Sequence, residues 1–131
     1  ASTGVHAGID LSDGLSSDLA HVAEKSGVGA VIYEDNLPLS PSLLEYCRRC
    51  GRSAVDYALG GGEDYVLAVT VAPAQAEAVA RAFCERFGRP LHEIGAIVEE
   101  PGIRLVDRQG ASRPLVPGGW DHFRRVRAGE R

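Results

Sequence analysis

The fold is decided near the start of the chain by the stretch Val5-His6-Ala7-Gly8-Ile9-Asp10-Leu11-Ser12-Asp13-Gly14-Leu15. Residues 5–11 predict a strand, and residues 12–14 interrupt it with turn-forming types. Apolar residues then recur at helical spacing, and Gly27 predicts the end of that helix. A strand that leads directly into a helix is typical of an α/β or α+β layer structure.

The rest of the chain continues this alternation. Further strands are predicted at residues 29–33, 64–71, 91–98, 103–106 and 111–116, and further helices at residues 41–50, 53–59 and 73–87. Ser40 and Pro41 are typical of a helix start, and Gly51 and Gly88 of helix ends. We therefore expect an α/β (α+β) fold with helices packed on one mixed sheet.

Length and composition indicate one ordinary globular domain over residues 1–131. The chain is 44% apolar and 24% charged, and its length suits a single core. Its net charge of −4 gives no field that attracts nucleic acid, so no nucleic-acid partner is expected. Because no run of about 18 apolar residues occurs, no membrane span is expected either.

Cysteine usage indicates a reducing compartment. An odd count of three cysteines, without a visible secretory signal, argues against a disulfide scaffold and predicts a cytoplasmic protein. Cys47 and Cys50 form a C-x-x-C pair on one face of a predicted helix. They are interpreted as small buried apolar residues, and a redox motif is the alternative.

The strand–helix junction carries the first candidate site. Asp10 and Asp13 flank Ser12, and carboxylate oxygens are ligands that suit Mg²⁺ together with substrate phosphate. Free N–H groups at the start of a helix favour anionic oxygens, and Gly14 allows a close approach to the backbone. The alternative is that Ser12 or Asp13 only caps the helix, although Asp10 contributes nothing to a cap.

In two further segments, glycines stand next to acidic or aromatic residues that could contact a ligand. Gly60-Gly61-Gly62-Glu63-Asp64-Tyr65 is either a plain turn before a strand or a backbone that a ligand approaches. Its spacing fits neither a Walker A loop nor a dinucleotide fingerprint. Near the end, Gly118-Gly119-Trp120-Asp121-His122-Phe123 holds the single Trp, which either covers the core or stacks on a flat ligand.

Taken in order, these segments resemble thiamine-monophosphate kinases. The matching strings are Gly8-Ile9-Asp10-Leu11-Ser12-Asp13-Gly14-Leu15, Gly61-Gly62-Glu63-Asp64-Tyr65 and Gly119-Trp120-Asp121-His122-Phe123. Asp18-Leu19-Ala20-His21, Ser26-Gly27-Val28-Gly29-Ala30 and Leu37-Pro38-Leu39-Ser40 are also similar to that family in order and spacing. The resemblance extends over nearly the whole chain.

The resemblance implies a fold and an activity. The family belongs to the group related to aminoimidazole-ribonucleotide (AIR) synthase, and this chain is similar to its C-terminal domain, a three-layer α/β/α unit that is partly ferredoxin-like. The family phosphorylates thiamine monophosphate to thiamine diphosphate with ATP and Mg²⁺. The resemblance also implies an N-terminal ATP-binding domain outside this chain, and a homodimer formed through that domain.

The resemblance further implies roles for individual residues. Asp10 and Asp13 correspond to Mg²⁺ ligands, Ser12 to an ATP contact, and Glu63 and Trp120 to contacts with thiamine monophosphate. No residue of this chain is implied as a catalytic acid, base or nucleophile. The alternatives are a domain of an AIR synthase-type cyclo-ligase and a non-catalytic binding domain of the same fold.

Overall fold

The computed structural model describes residues 4–61 and 66–117. Within these ranges the strands are β1 (Val5–Leu11), β2 (Gly29–Tyr33), β3 (Val66–Val71), β4 (Gly95–Val98), β5 (Gly102–Val106) and β6 (Ser112–Leu115). The helices are α1 (Leu15–Ser26), α2 (Pro41–Cys50), α3 (Ala54–Gly60) and α4 (Ala76–Phe87). The α/β fold class predicted from the sequence is confirmed.

Local sequence signals explain most of the helix boundaries. The hydroxyl oxygens of Ser40 and Ser53 accept backbone N–H groups in the first turns of α2 and α3, each at 3.2 Å. Gly27, at the end of α1, has a φ of 66°, and glycine adopts this left-handed conformation without a Cβ penalty. Gly51 and Gly88 end α2 and α4 in the same way.

The strands form two sheets where the sequence analysis expected one mixed sheet. In the first sheet β1 pairs with β3, antiparallel, with Asp10 opposite Leu67. The second has the order β4-β2-β5-β6, in which β2 and β5 are parallel and the other pairs antiparallel. Strand patterning predicts which segments are strands but not which ones pair, because pairing is decided by contacts distant in sequence.

Strand β4 is shorter than its apolar pattern predicted. It begins at Gly95 rather than at Leu91, because its ladder ends where Gly95 pairs with Ile32 near the end of β2. One further bond follows, from the Tyr33 N–H to the Ile94 carbonyl, at 2.9 Å.

The core lies between α1 and the four-stranded sheet. Ile32 on β2 and Leu105 on β5 are each 1% exposed, and Ala23 of α1 is 2% exposed. Other buried apolar side chains complete the same cluster: Leu15, Ala30, Leu37, Leu59 and Ile103. Because Leu15 is the first residue of α1 and Leu59 is near the end of α3, this core fixes both helix ends beside each other.

The β1–β3 pair lies at the edge of this core, against which Leu11 of β1 packs. Three of its large side chains are well exposed: Val5 by 39%, Val66 by 56% and Leu67 by 62%. Helix α4 also buries none of its residues within the described part of the chain. No helix in the described ranges has the length and apolar character needed to cross a membrane.

Candidate functional site

The first candidate segment lies where β1 runs into α1. Asp10 is the next-to-last residue of β1, and Ser12 and Asp13 form the two-residue bend that follows Leu11. All three polar side chains are exposed. Within the described residues none of these side chains makes a hydrogen bond or an ion pair, so each can contact a ligand.

Capping of α1 by Ser12 or Asp13 was the alternative interpretation, and the structure contradicts it. The residue at the N-cap is Gly14, and no side chain makes a cap hydrogen bond to the first turn. Gly14 has a φ of 117° and a ψ of 153°, a conformation that is essentially restricted to glycine. The two residue types that commonly cap helices therefore project from the bend without serving the helix.

A different residue holds the bend in place. The side chain of Asp18 is 3% exposed, and its Oδ2 accepts the backbone N–H of Asp13 at 3.0 Å and of Gly14 at 3.1 Å. This bond to the N-cap N–H resembles the second half of a capping box, in which a side chain inside the helix reaches back to the cap. Its negative charge also lies in the first turn, where the helix dipole favours it.

The second candidate segment begins beside the first. The Ser16 hydroxyl donates a 2.9 Å hydrogen bond to the carbonyl oxygen of Leu59, which immediately precedes Gly60. A Cβ added to Gly14 would lie 3.1 Å from the Gly60 carbonyl carbon and 3.2 Å from the Leu59 oxygen. Gly60, the first residue of the glycine-rich run, is therefore packed against Gly14, the residue that follows the bend.

Two predicted site residues cannot be placed. Glu63 and Trp120 lie outside the described residues, so their predicted contacts with substrate stay predictions. The structure does place Gly61, whose N–H donates to the Tyr57 carbonyl oxygen at 2.7 Å. This bond ends α3 and directs the chain into the glycine-rich run.

The oxygen donors of the bend fit a hard divalent cation. Asp10 and Asp13 offer exposed carboxylates, and Mg²⁺ in proteins is often held by one or two carboxylates together with substrate phosphates and water. Within residues 4–61 and 66–117 no group of three or more His, Cys, Asp or Glu side chains is assembled. Two carboxylates leave room in the shell of such a cation for phosphate oxygens and water.

Sequence reasoning missed the roles of Ser16 and Asp18. Both are buried polar side chains in the first turn of α1, with Ser16 5% and Asp18 3% exposed. The available signal was the acidic residue Asp18 in the first turn of the predicted helix, where the helix dipole favours a negative charge. The carbonyl partner of Ser16 lies 43 residues away, so no local pattern indicates it.

Only one cysteine of the C-x-x-C pair is buried, whereas both were expected to be small core residues. Cys47 is 3% exposed, whereas Cys50 is exposed at the end of α2. The two thiols are therefore in different environments, and Cys84 on α4 is exposed as well. Cys50 is the last residue of α2, and Cys47 is the buried residue of that helix.

Comparison with protein families identifies the class of domain that this fold represents. The profile of the family described as AIR synthase related protein, C-terminal domain, matches residues 1–108. The chain belongs to this family.

Within that family, the chain is similar to thiamine-monophosphate kinases. It is 38% identical over 120 residues to the thiamine-monophosphate kinase of Aquifex aeolicus, covering 90% of this chain and 34% of that protein. The Haemophilus influenzae kinase is 36% identical over 122 residues, covering 91% and 36%. The chain thus spans about a third of the length of these relatives.

Solved structures similar to this chain include a thiamine-monophosphate kinase and a hydrogenase maturation protein. A thiamine-monophosphate kinase from Stenotrophomonas maltophilia is 40% identical with a TM-score of 0.70, covering 77% of this chain and 31% of that one. A structure described as AaThiL complexed with AMPPCP and TMP is 36% identical with a TM-score of 0.69, covering 91% and 34%. E. coli HypE, a hydrogenase maturation protein, has a TM-score of 0.72 at 30% identity, covering 88% and 36%.

Proposed function

We propose that this chain is the C-terminal domain of a kinase that converts thiamine monophosphate to thiamine diphosphate with ATP. The observation that carries the proposal is the contact between Gly14 and the Leu59–Gly60 backbone, which brings the two candidate segments together. Similarity to thiamine-monophosphate kinases over 90% of the chain supports the substrate assignment. One relative of known structure is described as complexed with AMPPCP and TMP.

The proposed reaction requires little from the protein beyond positioning and charge neutralisation. A phosphate oxygen of thiamine monophosphate attacks the γ-phosphorus of ATP, and the bond from that phosphorus to the bridging oxygen breaks to release ADP. Because the acceptor is already an ionised phosphate, no general base is needed.

Each proposed site residue has a defined role in this reaction. Asp10 and Asp13 would hold Mg²⁺, which neutralises charge on the phosphate oxygens when it is bound. Ser12 would donate a hydrogen bond to ATP. Glu63 would face the cationic thiazolium of the substrate, and Trp120 would stack on its flat ring.

The proposal includes partners that this chain does not contain. Its relatives are about three times as long, so we propose that an N-terminal domain supplies the remaining nucleotide and metal contacts. By the same resemblance, the full-length protein is proposed to be a cytoplasmic homodimer. The mass of the full-length protein in solution, measured by light scattering, tests the dimer.

The experiment that tests the function joins this domain to its upstream coding sequence and measures conversion of thiamine monophosphate to thiamine diphosphate. The expected product requires both ATP and Mg²⁺, and it disappears in the Glu63→Ala variant. Turnover of formylglycinamidine ribonucleotide instead would assign the chain to a cyclo-ligase. Failure with both substrates, in a protein that still binds a nucleotide, would favour a non-catalytic binding domain.

A further inference from the structure

We infer that Asp18 is a positioning residue for the bend that carries Ser12 and Asp13, and that it sets the affinity of the site for Mg²⁺-ATP. This inference rests on the proposed function, because it takes the bend to be the nucleotide- and metal-binding element. Asp18 contacts neither ligand in this arrangement. It acts through the backbone of the residues that do.

One carboxylate oxygen accepts two backbone hydrogen bonds from the bend and the residue after it. Oδ2 of Asp18 accepts the N–H groups of both Asp13 and Gly14, at 3.0 and 3.1 Å. Two N–H groups on successive residues that converge on one acceptor orient two successive peptide planes. The direction in which the Asp13 side chain leaves the backbone is therefore set by Asp18.

Burial indicates that this arrangement serves more than the helix. A carboxylate that is 3% exposed is costly to desolvate, whereas a Ser or Asp side chain at the N-cap would stabilise the helix without that cost. Ser12 and Asp13 are residues of the capping type, yet neither caps α1. Because Asp18 holds the backbone, the side chains of Ser12 and Asp13 stay available for a ligand.

The helical turn that carries Asp18 is itself held in place. Ser16, on the same helical turn, bonds to the Leu59 carbonyl, and Leu15 and Leu59 are both in the buried core. The first turn of α1 is thus fixed to the end of α3, and Asp18 fixes the bend to that turn. A ligand-binding group held this way is preorganised, so displacement by about 1 Å can cost about 100-fold in rate.

The test uses the full-length protein with three substitutions at this position. Asp18→Ala removes the acceptor and is expected to raise the KM for ATP by roughly 10- to 100-fold, while the KM for thiamine monophosphate stays within about 2-fold. Asp18→Asn retains an acceptor oxygen and should recover most of the loss. Asp18→Glu keeps the charge but moves it by one methylene, so its KM for ATP should also rise.

A core variant controls for loss of stability. Ile32→Val removes one methylene from a side chain that is 1% exposed and distant in sequence from the bend. Destabilisation alone lowers the active fraction, which lowers kcat and leaves both KM values unchanged. Ile32→Val is expected to behave in this way, and an Asp18→Ala variant that does the same would overturn the inference.

Calorimetric titration with Mg²⁺ and AMPPCP, a non-hydrolysable ATP analogue, separates this inference from the proposed function. If the wild-type protein lacks kinase turnover but Asp18→Ala weakens analogue binding more than Ile32→Val does, the positioning role stands and the kinase assignment fails. If the wild type is an active kinase and Asp18→Ala binds the analogue normally, the assignment stands and the positioning role fails. A wild type that neither turns over nor binds the analogue overturns both. If Asp18→Ala does not fold, an unchanged KM for ATP in Asp18→Glu overturns the positioning role.

Discussion

The hydroxyl of Ser16 donates a 2.9 Å hydrogen bond to the carbonyl oxygen of Leu59, across 43 residues of sequence. This bond joins the first turn of α1 to the end of α3, so Gly60, at the start of the glycine-rich run, lies beside the residue that follows the bend. Under the proposed function, such an arrangement would let two segments distant in sequence contribute to one phosphate-binding site. It also defines which substitutions should affect function and which should affect stability.

Removing either exposed carboxylate of the bend should abolish function without unfolding the protein. In the full-length enzyme, Asp10→Ala and Asp13→Ala are each expected to lower kcat/KM by about 100-fold or more, because a charge-stabilising contact is lost. Since both side chains are exposed, the free energy of unfolding should change by at most about 0.5 kcal/mol. Steady-state kinetics and urea unfolding measure the two quantities.

Glu24→Ala is the matched control for these variants. Glu24 is also an exposed acidic residue, and it lies near the C-terminal end of α1 rather than at the bend. Its variant should turn over at the wild-type rate. Wild-type rates in Asp10→Ala and Asp13→Ala as well would remove both carboxylates from the proposed site.

Gly14→Ala should destabilise the protein more than Gly27→Ala. At Gly14 a new Cβ would meet backbone atoms of Leu59 and Gly60 at 3.1–3.2 Å, in a conformation restricted to glycine, so a loss of about 3 kcal/mol is expected. At Gly27 the new Cβ would have open space around it. The left-handed backbone conformation alone should then lower the free energy of unfolding, by about 1 kcal/mol. Urea unfolding of both variants measures the two changes in the free energy of unfolding. Equal changes would show that the backbone of Leu59 and Gly60 moves aside for the new Cβ at little cost.

The acidic side chain on α2 should give a small, pH-dependent contribution to stability. Hydrogen bonds from Arg48 first and Arg49 second lower the pKa of Glu45, whose carboxylate lies 2.8 and 2.7 Å from the two guanidinium groups. A carboxyl whose pKa is lowered by folding stabilises the protein above its unfolded-state pKa, about 4.3, and loses that contribution as the pH falls through its folded-state pKa.

The corresponding measurement compares Glu45→Gln with the wild type by urea unfolding at pH 7 and in acid. The variant should have the lower midpoint at pH 7, and the difference should shrink both in acid and at high salt, since the pair is exposed. Glu85→Gln on α4 is the control, because Glu85 makes no ion pair within the described residues. A midpoint difference for Glu45→Gln that persists unchanged in acid would contradict the ion-pair explanation.

The 131-residue chain by itself is expected to show no kinase turnover. It covers about a third of the length of its relatives, and within its described residues no group of three or more potential metal ligands is assembled. Purified chain is assayed with ATP, Mg²⁺ and thiamine monophosphate beside the full-length protein. Product formed by the purified chain would show that the proposed N-terminal domain is dispensable.

The sequence by itself determined the order and type of the elements. Strand β1 lies at the predicted residues 5–11, and Gly27, Gly51 and Gly88 end their helices as predicted, since capping and turn chemistry depend on neighbouring residues alone. The motif at residues 8–15 likewise drew attention to the candidate site, but its residue types and spacing left helix capping open, and the proposed roles came from the family resemblance.

Only the tertiary structure decided how these elements combine. It separated β1 and β3 from the four-stranded sheet, gave the N-cap to Gly14, and left Cys50 exposed while Cys47 is buried. It also placed Asp18 under the bend and Ser16 against Leu59. Strand pairing, burial and bonds between α1 and α3 depend on residues that are distant in the chain, and their free energies are settled only when the whole core is assembled.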